Sequence, residues 1–247
     1  MREVVKNYVV HNGEQFHERA SPDAYHLALQ LMSRVRPSPA QGAGMSRGRA
    51  IDLAAGSGYT SRRLAELGFA VTAYDIFTDQ FVPRDIPIKK ADLNQCIGEP
   101  DGSVDAVLAL EVIEHLENPR AFLRDIARVL REGGGLVLST PNIVTLGSKL
   151  RFAFREELEL FFNDVTRTRD SVCAEASGHI SPLLPWLLEI FVQDAGLTIL
   201  ETAYTKRWGL RTKHFGRSAI LSIEKQSVSA SQVVERSSVL PALQASL

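Results

Sequence analysis

One stretch, residues 51–60, constrains the fold of this chain more than any other, and it reads IDLAAGSGYT. A short apolar run ends in small residues, two glycines follow one residue apart, and a helical pattern then begins. This order predicts a buried strand, a tight turn and a helix N-terminus. Gly56 and Gly58 carry no Cβ, so a ligand can approach the backbone closely, and the helix offers free N–H groups. The stretch therefore predicts a site for a nucleotide or nucleoside-like cofactor.

From Arg49 onward, nearly continuous apolar runs alternate with helical patterns. This alternation predicts an α/β fold with a parallel sheet covered by helices on both faces. The predicted strands are Ala50–Ala55, Ala70–Asp75, Ile86–Asp92, Val104–Leu110, Leu136–Thr140, Leu197–Tyr204 and Ala219–Glu224. The predicted helices are Thr60–Leu67, Asn118–Leu130 and one that starts at Ser181-Pro182 and ends at Gly196.

The predicted core domain covers residues 48–226, with an N-terminal helical cap at 1–47 and a flexible tail at 227–247. A helix start at Ser21-Pro22 places one helix in the cap, as a lid over the cofactor or as a helix packed on the sheet edge. A helical segment is inserted at 142–180, where Leu150, Phe154, Leu158, Phe161 and Phe162 fall at helical spacing. That insert is expected to pack on the domain, to form a pocket wall or to touch a membrane surface.

Composition narrows the function classes. The chain has 247 residues, 45% of them hydrophobic, and a net charge of −1, which argues against a nucleic-acid partner. Cys96 and Cys173 lack zinc-binding or disulfide spacing, which is typical of a protein of the reducing cytoplasm. No stretch approaches the roughly 20 apolar residues of a membrane span, so we expect no transmembrane segment.

Acidic residues occur at or near the ends of four successive predicted strands: Asp52, Asp75, Asp92 and Glu111. Open α/β sheets bind their ligands at the carboxyl ends of parallel strands. Asp75 lies 19 positions after Gly56, where an acid can accept hydrogen bonds from two ribose hydroxyls. Asp92 could accept from an exocyclic adenine amine, with the backbone of Leu93 against the ring.

These residues carry a resemblance to a known family. Ile51–Gly58 resembles motif I of class I S-adenosylmethionine-dependent methyltransferases, and Asp75 matches their ribose acid. The runs EVIEHLENP at 111–119, RVLREGG at 128–134 and LSTPN at 138–142 look like those of small-molecule methyltransferases related to the ubiquinone-biosynthesis O-methyltransferases. The resemblance covers about residues 49–142. Over residues 178–225 it extends to the kind of elements, which are a helix followed by a pair of strands. It implies a Rossmann-like, seven-stranded, mostly parallel sheet with the last strand antiparallel.

The resemblance implies S-adenosyl-L-methionine as the cofactor. The implied cofactor-binding residues are Asp52, Ala54, Gly56, Gly58, Asp75, Ile76, Asp92, Leu93, Leu110 and Glu111. Methyl transfer from a sulfonium needs no metal in principle, and the sequence assigns no metal site. His115 is the first candidate for a catalytic base, against a role bracing the loop before Pro119. His179 is the second candidate, against a role bracing the entry of the following helix.

The expected acceptor is a hydroxyl of a small molecule, sugar or glycan. The loop 206–217 carries Lys206, Arg207, Arg211, Lys213 and Arg217 without an acid, so it is a solvated loop, a site for an anionic acceptor or a peripheral membrane contact. The alternatives are a catalytically silent methyltransferase-like binding domain and a nicotinamide-dependent dehydrogenase, although the latter's third glycine is absent near Ser61. The sequence leaves N- and C-methylation and the oligomeric state open.

Overall fold

A computed structural model describes residues 8–17, 20–35, 47–158, 161, 178–206 and 209–226. Several predictions fall outside these ranges: most of the linker at 41–48, Phe162 and Cys173, Arg207, and the tail at 227–247. The strands are Tyr8–His11 (β1), Glu14–His17 (β2), Arg49–Leu53 (β3), Ala70–Asp75 (β4), Ile88–Lys90 (β5), Val104–Ala109 (β6), Leu130–Pro141 (β7), Leu197–Tyr204 (β8) and Ser218–Lys225 (β9). The helices are Pro22–Met32 (α1), Tyr59–Glu66 (α2), Pro119–Val129 (α3), Leu146–Arg155 (α4) and Pro185–Asp194 (α5), with a 3₁₀ turn at Ile113–His115.

The central sheet has seven strands in the order β5-β4-β3-β6-β7-β9-β8. Neighbouring strands from β5 to β7 pair in parallel, whereas β9 lies antiparallel between β7 and β8. The prediction of a mostly parallel sheet with an antiparallel last strand is confirmed. Strands β4 and β5 lie on one side of β3, and the chain then crosses to β6 on the other side of β3. Open α/β sheets bind their ligands at such a reversal of strand order.

Two apolar clusters cover the two faces of this sheet. Ile51 and Leu53 of β3 belong to one cluster, together with Leu123 of α3 and Leu188 of α5. Ala50 belongs to the other cluster, which also holds residues of α1 and α2. Successive strand residues point to opposite faces, so a fully buried strand needs apolar residues at nearly every position. This requirement explains why the strands are nearly continuous apolar runs.

The N-terminal segment is only partly helical. Helix α1 begins as predicted, because the Ser21 side chain accepts a hydrogen bond from the Ala24 backbone N–H and Pro22 follows at the first helical position. Ahead of it, however, β1 and β2 form an antiparallel hairpin that was not predicted. Its turn is Asn12-Gly13, both with positive φ, and this dipeptide is a strong hairpin signal.

Helix α5 starts later than predicted. Leu184 precedes its first turn and Pro185 occupies the first helical position. Ser181 does not cap a helix, because its backbone N–H donates to the carbonyl of Glu114 and its hydroxyl donates to the carbonyl of Leu116. These bonds hold Ser181 against the loop that follows β6.

Helix α4 lies in the predicted insert and keeps much of its apolar face exposed. Leu150 is 51% exposed and Phe154 is 83% exposed, whereas Phe161, beyond the helix, is buried. Leu150 and Phe154 therefore do not follow the first of the three alternatives for the insert, packing on the domain. Within the described ranges, no helix is long and apolar enough to cross a bilayer.

Candidate active site

The glycine turn after β3 has a backbone that few residue types can adopt. Ala54, Gly56 and Gly58 all have positive φ, and α2 begins at Tyr59. A Cβ built on Gly58 would lie 2.6 Å from a ring carbon of Phe81, which no ordinary packing tolerates. Glycine at position 58 is therefore required by both backbone conformation and space. Strained backbone of this kind is concentrated at binding sites.

Asp75, at the end of β4, fastens this turn to the neighbouring strand. Its two carboxylate oxygens each accept a backbone N–H, from Gly56 at 2.8 Å and from Phe77 at 2.8 Å. The side chain is buried beside the turn. Because each carboxylate oxygen has further lone pairs, Asp75 can still accept hydrogen bonds from ribose hydroxyls.

Asp52, in β3 just before this turn, is buried. The hydroxyls of Thr60 and Ser61, in the first turn of α2, donate to its Oδ2 at 2.7 and 2.6 Å. Burial raises the pKa of Asp52 from 3.8 to about 6, although the two hydrogen bonds oppose the shift, and the charge of Asp75 adds to it. Asp52 thus ties the strand to the helix through a carboxyl that gains and loses its proton near neutral pH.

A cavity opens against this turn. Among the predicted cofactor residues, its walls include Asp52, Ala54, Gly56 and Leu110. The N-terminal segment adds further wall residues: His17, Ala20 and Tyr25. The Ser57 hydroxyl also donates to the carbonyl of His17 at 3.1 Å, so the hairpin contacts the glycine turn directly.

The other predicted cofactor residues stand outside the walls of this cavity. Ile76 is exposed, and Asp92 is exposed with its Oδ1 accepting the backbone N–H of Asn94. Leu93 is buried in the core cluster that contains α3. Their roles in cofactor binding stay predictions from the resemblance.

Glu111, directly after β6 and Leu110, has a positive φ of 49°. Its backbone N–H donates to Ser139 Oγ at 2.9 Å, and that hydroxyl donates in turn to the Glu111 carboxylate at 2.7 Å. Burial raises the pKa of Glu111, while hydrogen bonds from Ser139 and Ser218 oppose the shift. Strand β7 therefore fixes an unusual conformation at the mouth of the site.

Glu114 lies three residues further on and is completely buried. Neither of its carboxylate oxygens has a hydrogen-bond partner among the described residues. Burial and the nearby charge of Glu111 raise the pKa of Glu114 well above its usual range. The Thr140 hydroxyl opposes that shift, but it does not reach hydrogen-bond geometry with either oxygen. Glu114 had no predicted role, although an acid next to a candidate catalytic histidine was a usable signal.

The structure brings the two candidate catalytic histidines together. The rings of His115 and His179 are 4.7 Å apart between centroids and inclined at 72°. His115 Nδ1 lies 3.0 Å from the carbonyl oxygen of Gly178. Because a carbonyl can only accept, Nδ1 is the donor, and Nε2 of His115 carries the lone pair when the ring is neutral. Three potential metal-ligand atoms lie within 4.8 Å of one another, one from each of Glu114, His115 and His179.

The basic loop is tied to the N-terminal segment on one side. Arg211 forms an ion pair with Asp23 of α1, and the backbone N–H of Lys206 donates to the same carboxylate. Lys213 and Arg217 are exposed. Of the predicted cations of this loop, Arg211 is thus engaged with α1, and Lys213 and Arg217 face solvent.

Comparison with known proteins identifies methyltransferases as relatives of this chain. The sequence model of a family described as a methyltransferase domain matches residues 20–202. A ubiquinone biosynthesis O-methyltransferase of Caulobacter vibrioides is 37% identical in an alignment 101 residues long, which covers 37% of this chain and 40% of that protein. The match thus spans about two-fifths of the length of that curated relative.

Two solved structures share the fold. The S-adenosylmethionine-dependent methyltransferase of Mesorhizobium loti superposes with a TM-score of 0.53 at 15% identity, over 81% of this chain and 97% of that one. A chain from the complex of the Haloferax volcanii methyltransferase activator Trm112 with a methyltransferase partner superposes with a TM-score of 0.57 at 16% identity, over 83% of this chain and 91% of that one.

Proposed function

The chain belongs to the methyltransferase family, and on that premise we propose that it methylates a hydroxyl oxygen of a small molecule or sugar. It is an S-adenosylmethionine-dependent enzyme, and the turn after β3 fits that cofactor. The glycines leave room for a nucleoside, and Asp75 presents a carboxylate beside the turn. When bound, the cofactor supplies an activated methyl group for an in-line displacement.

The observation that carries the hydroxyl proposal is the contact between the His115 and His179 rings, in which His115 follows Leu110 of the cavity wall by five residues. Leu110 is part of the cavity wall, and the 3₁₀ turn that carries His115 begins at Ile113. A hydroxyl must lose its proton as it attacks, and an imidazole has a pKa suited to accept one. The Gly178 carbonyl fixes the tautomer of His115, so its Nε2 is the atom that can receive this proton.

The similarity to a ubiquinone biosynthesis O-methyltransferase, 37% identical over 101 residues, supports an oxygen acceptor. An anionic acceptor is a further proposal, supported by the exposed cations Lys213 and Arg217. A peripheral membrane contact is supported by the exposed apolar residues of α4, which stand beside Lys149, Arg151 and Arg155.

A screen of hydroxylated aromatic compounds and sugars for release of S-adenosylhomocysteine tests the proposal. For an accepted substrate, we expect His115→Ala to lower kcat about 10²–10⁴-fold while cofactor affinity is kept. His26→Ala changes an exposed histidine on α1 and serves as the matched control. Turnover of amine acceptors only, or a His115→Ala variant as fast as the control, would overturn the hydroxyl proposal.

The rival is a methyltransferase-like domain that binds but does not react. The acceptor screen separates the two, because the rival predicts no methyl transfer to any acceptor even where calorimetric titration shows that S-adenosylmethionine binds. Cofactor binding together with substrate-dependent turnover would eliminate it.

A further inference from the structure

A second cavity lies between α5 and the sheet, and its volume is about 350 Å³. Its walls come from the end of β7, the first turns of α5 and the facing strands β8 and β9. We infer that this cavity, which we call the α5 cavity, holds the aromatic ring system of the methyl acceptor. The inference rests on the proposed function, and it selects aromatic hydroxyl compounds over sugars as acceptors.

The size and the walls of the α5 cavity suit an aromatic ligand. An apolar cavity of about 150 Å³ holds one benzene molecule, so a volume of about 350 Å³ leaves room for two fused rings. Leu183, Leu188 and Leu221 form buried apolar walls, and Trp186 is 58% exposed where the cavity meets solvent. Small-molecule sites are typically apolar pockets of this kind, and an aromatic ligand gains further from contact with an indole ring.

Few polar groups of the described walls are available to a sugar. The side-chain amide of Asn142 is already engaged, because it donates to the carbonyls of Lys213 and Gly216. Thr202 and Glu189 are exposed to solvent. A sugar in the α5 cavity would therefore leave hydroxyl groups buried without partners, which is a cost that an aromatic ring does not incur.

Thr140, at the end of β7, connects the α5 cavity to the candidate catalytic residues. It lines the cavity, is 4% exposed, and its hydroxyl has no hydrogen-bond partner among the described residues. That hydroxyl lies beside the carboxyl of Glu114, the residue before His115. Because buried polar groups in native proteins are paired, a polar substituent of the acceptor ring is a suitable partner for Thr140 Oγ1.

The segment that follows His179 joins the cavity to the histidine pair. The backbone N–H of Ser181 donates to the carbonyl of Glu114 at 2.9 Å, and Leu183, two residues further on, lines the cavity. A ring in the α5 cavity can therefore turn its hydroxyl toward His115, the proposed base, while its apolar part packs between α5 and β9.

Calorimetric titration of the full chain loaded with S-adenosylhomocysteine tests the cavity without requiring methyl transfer. The probe is 2-naphthol, which has two fused rings and one hydroxyl, and methyl glucoside is the sugar for comparison. We expect 2-naphthol to bind at one site per chain. Methyl glucoside should bind at least about tenfold more weakly, because its hydroxyl groups would lack partners.

Substitutions in the walls test where the probe binds. Trp186→Ala removes an aromatic contact and should weaken 2-naphthol binding about tenfold. Phe152→Ala removes an exposed aromatic side chain from α4, so it is the matched control and should bind as the parent chain does. Ala219→Phe places a ring inside the cavity and should abolish 2-naphthol binding. Binding of S-adenosylhomocysteine by each variant shows that the variant is folded.

Three results would overturn the assignment of the α5 cavity. They are the absence of a one-to-one 2-naphthol complex in a parent chain that binds S-adenosylhomocysteine, methyl glucoside binding as tight as that of 2-naphthol, and equal 2-naphthol affinity in Trp186→Ala and Phe152→Ala. The cavity and the proposed function fail separately. A chain that binds 2-naphthol in the cavity but methylates no hydroxyl refutes only the hydroxyl proposal, whereas one that methylates sugar hydroxyls and does not bind 2-naphthol refutes only the aromatic assignment.

Discussion

The buried carboxyl of Asp52 gives a quantitative test of how the cofactor turn is built. Its Oδ2 accepts hydrogen bonds from the hydroxyls of Thr60 and Ser61, and burial raises its pKa from 3.8 to about 6. Asparagine at this position keeps an oxygen for both hydroxyls and removes the charge. We therefore expect Asp52→Asn to stabilise the cofactor-free chain at neutral pH.

The magnitude follows from linkage between protonation and folding. Between pH 3.8 and about 6, the folded chain keeps a proton on Asp52 that the unfolded chain has already released. Stability therefore falls as the pH rises through this window, and the loss is complete above about pH 7. At about 1.4 kcal/mol per pKa unit, the buried charge costs about 3 kcal/mol at pH 8 and less than about 1 kcal/mol at pH 4.

Urea unfolding of the parent chain and of Asp52→Asn between pH 4 and pH 8 measures this directly. The stability advantage of the variant should grow with pH toward about 3 kcal/mol. Asp79→Asn, at an exposed position four residues after Asp75, should show no such growth. An advantage that is the same at every pH, or a variant less stable than its parent at pH 8, would refute the reasoning.

Further substitutions test the other contacts of the site. Asp75→Ala should weaken S-adenosylhomocysteine binding about 10–150-fold by calorimetry, because a charged acceptor worth roughly 1.5–3 kcal/mol is lost; affinity equal to that of Asp79→Ala would contradict the ribose assignment. Gly58→Ala should destabilise the chain by about 1–3 kcal/mol in urea, because its Cβ meets Phe81 and its φ is +91°; an unchanged unfolding midpoint would be the contrary result. Ser139→Ala should cost about 1–3 kcal/mol, because the carboxylate of Glu111 loses a buried donor, and a cost below about 0.5 kcal/mol would show that this hydroxyl is dispensable.

The cofactor half of the site was largely predictable because its geometry is local. A buried strand, a glycine turn and a helix are consecutive in sequence, and Asp75 ends the neighbouring parallel strand. Residues at the ends of adjacent parallel strands must meet at one edge of the sheet. The Asp75 contact with Gly56 therefore follows from strand order, which an alternating α/β pattern already indicates.

The proposed acceptor half was less predictable because it depends on contacts between distant segments. His115 and His179 are both in the sequence prediction, but nothing in their spacing shows that their rings touch. Their approach depends on main-chain bonds, such as the one from Ser181 to Glu114, and main-chain groups carry no sequence signal. The same bonds explain why Ser181-Pro182, a good helix start by residue type, does not begin α5.

The unexpected hairpin has a different explanation. Asn12-Gly13 was a local signal, but the flanking segments Tyr8–His11 and Glu14–His17 have only four residues each and are too short to stand out as strands. Two ion pairs with helix α2 stabilise the hairpin. Glu14 pairs with Arg62 on α2, and His11 pairs with Glu66 one turn further along.

The anchoring of the insert at both ends has an evolutionary consequence. At one end, the Asn142 amide donates to the carbonyls of Lys213 and Gly216; at the other, the Gly178 carbonyl receives His115. Because closing a longer loop costs only about 0.6 kcal/mol per doubling of its length, the residues between these anchors can change in number without moving the histidines. Selection can thus lengthen, shorten or replace the insert while the two histidines keep their positions.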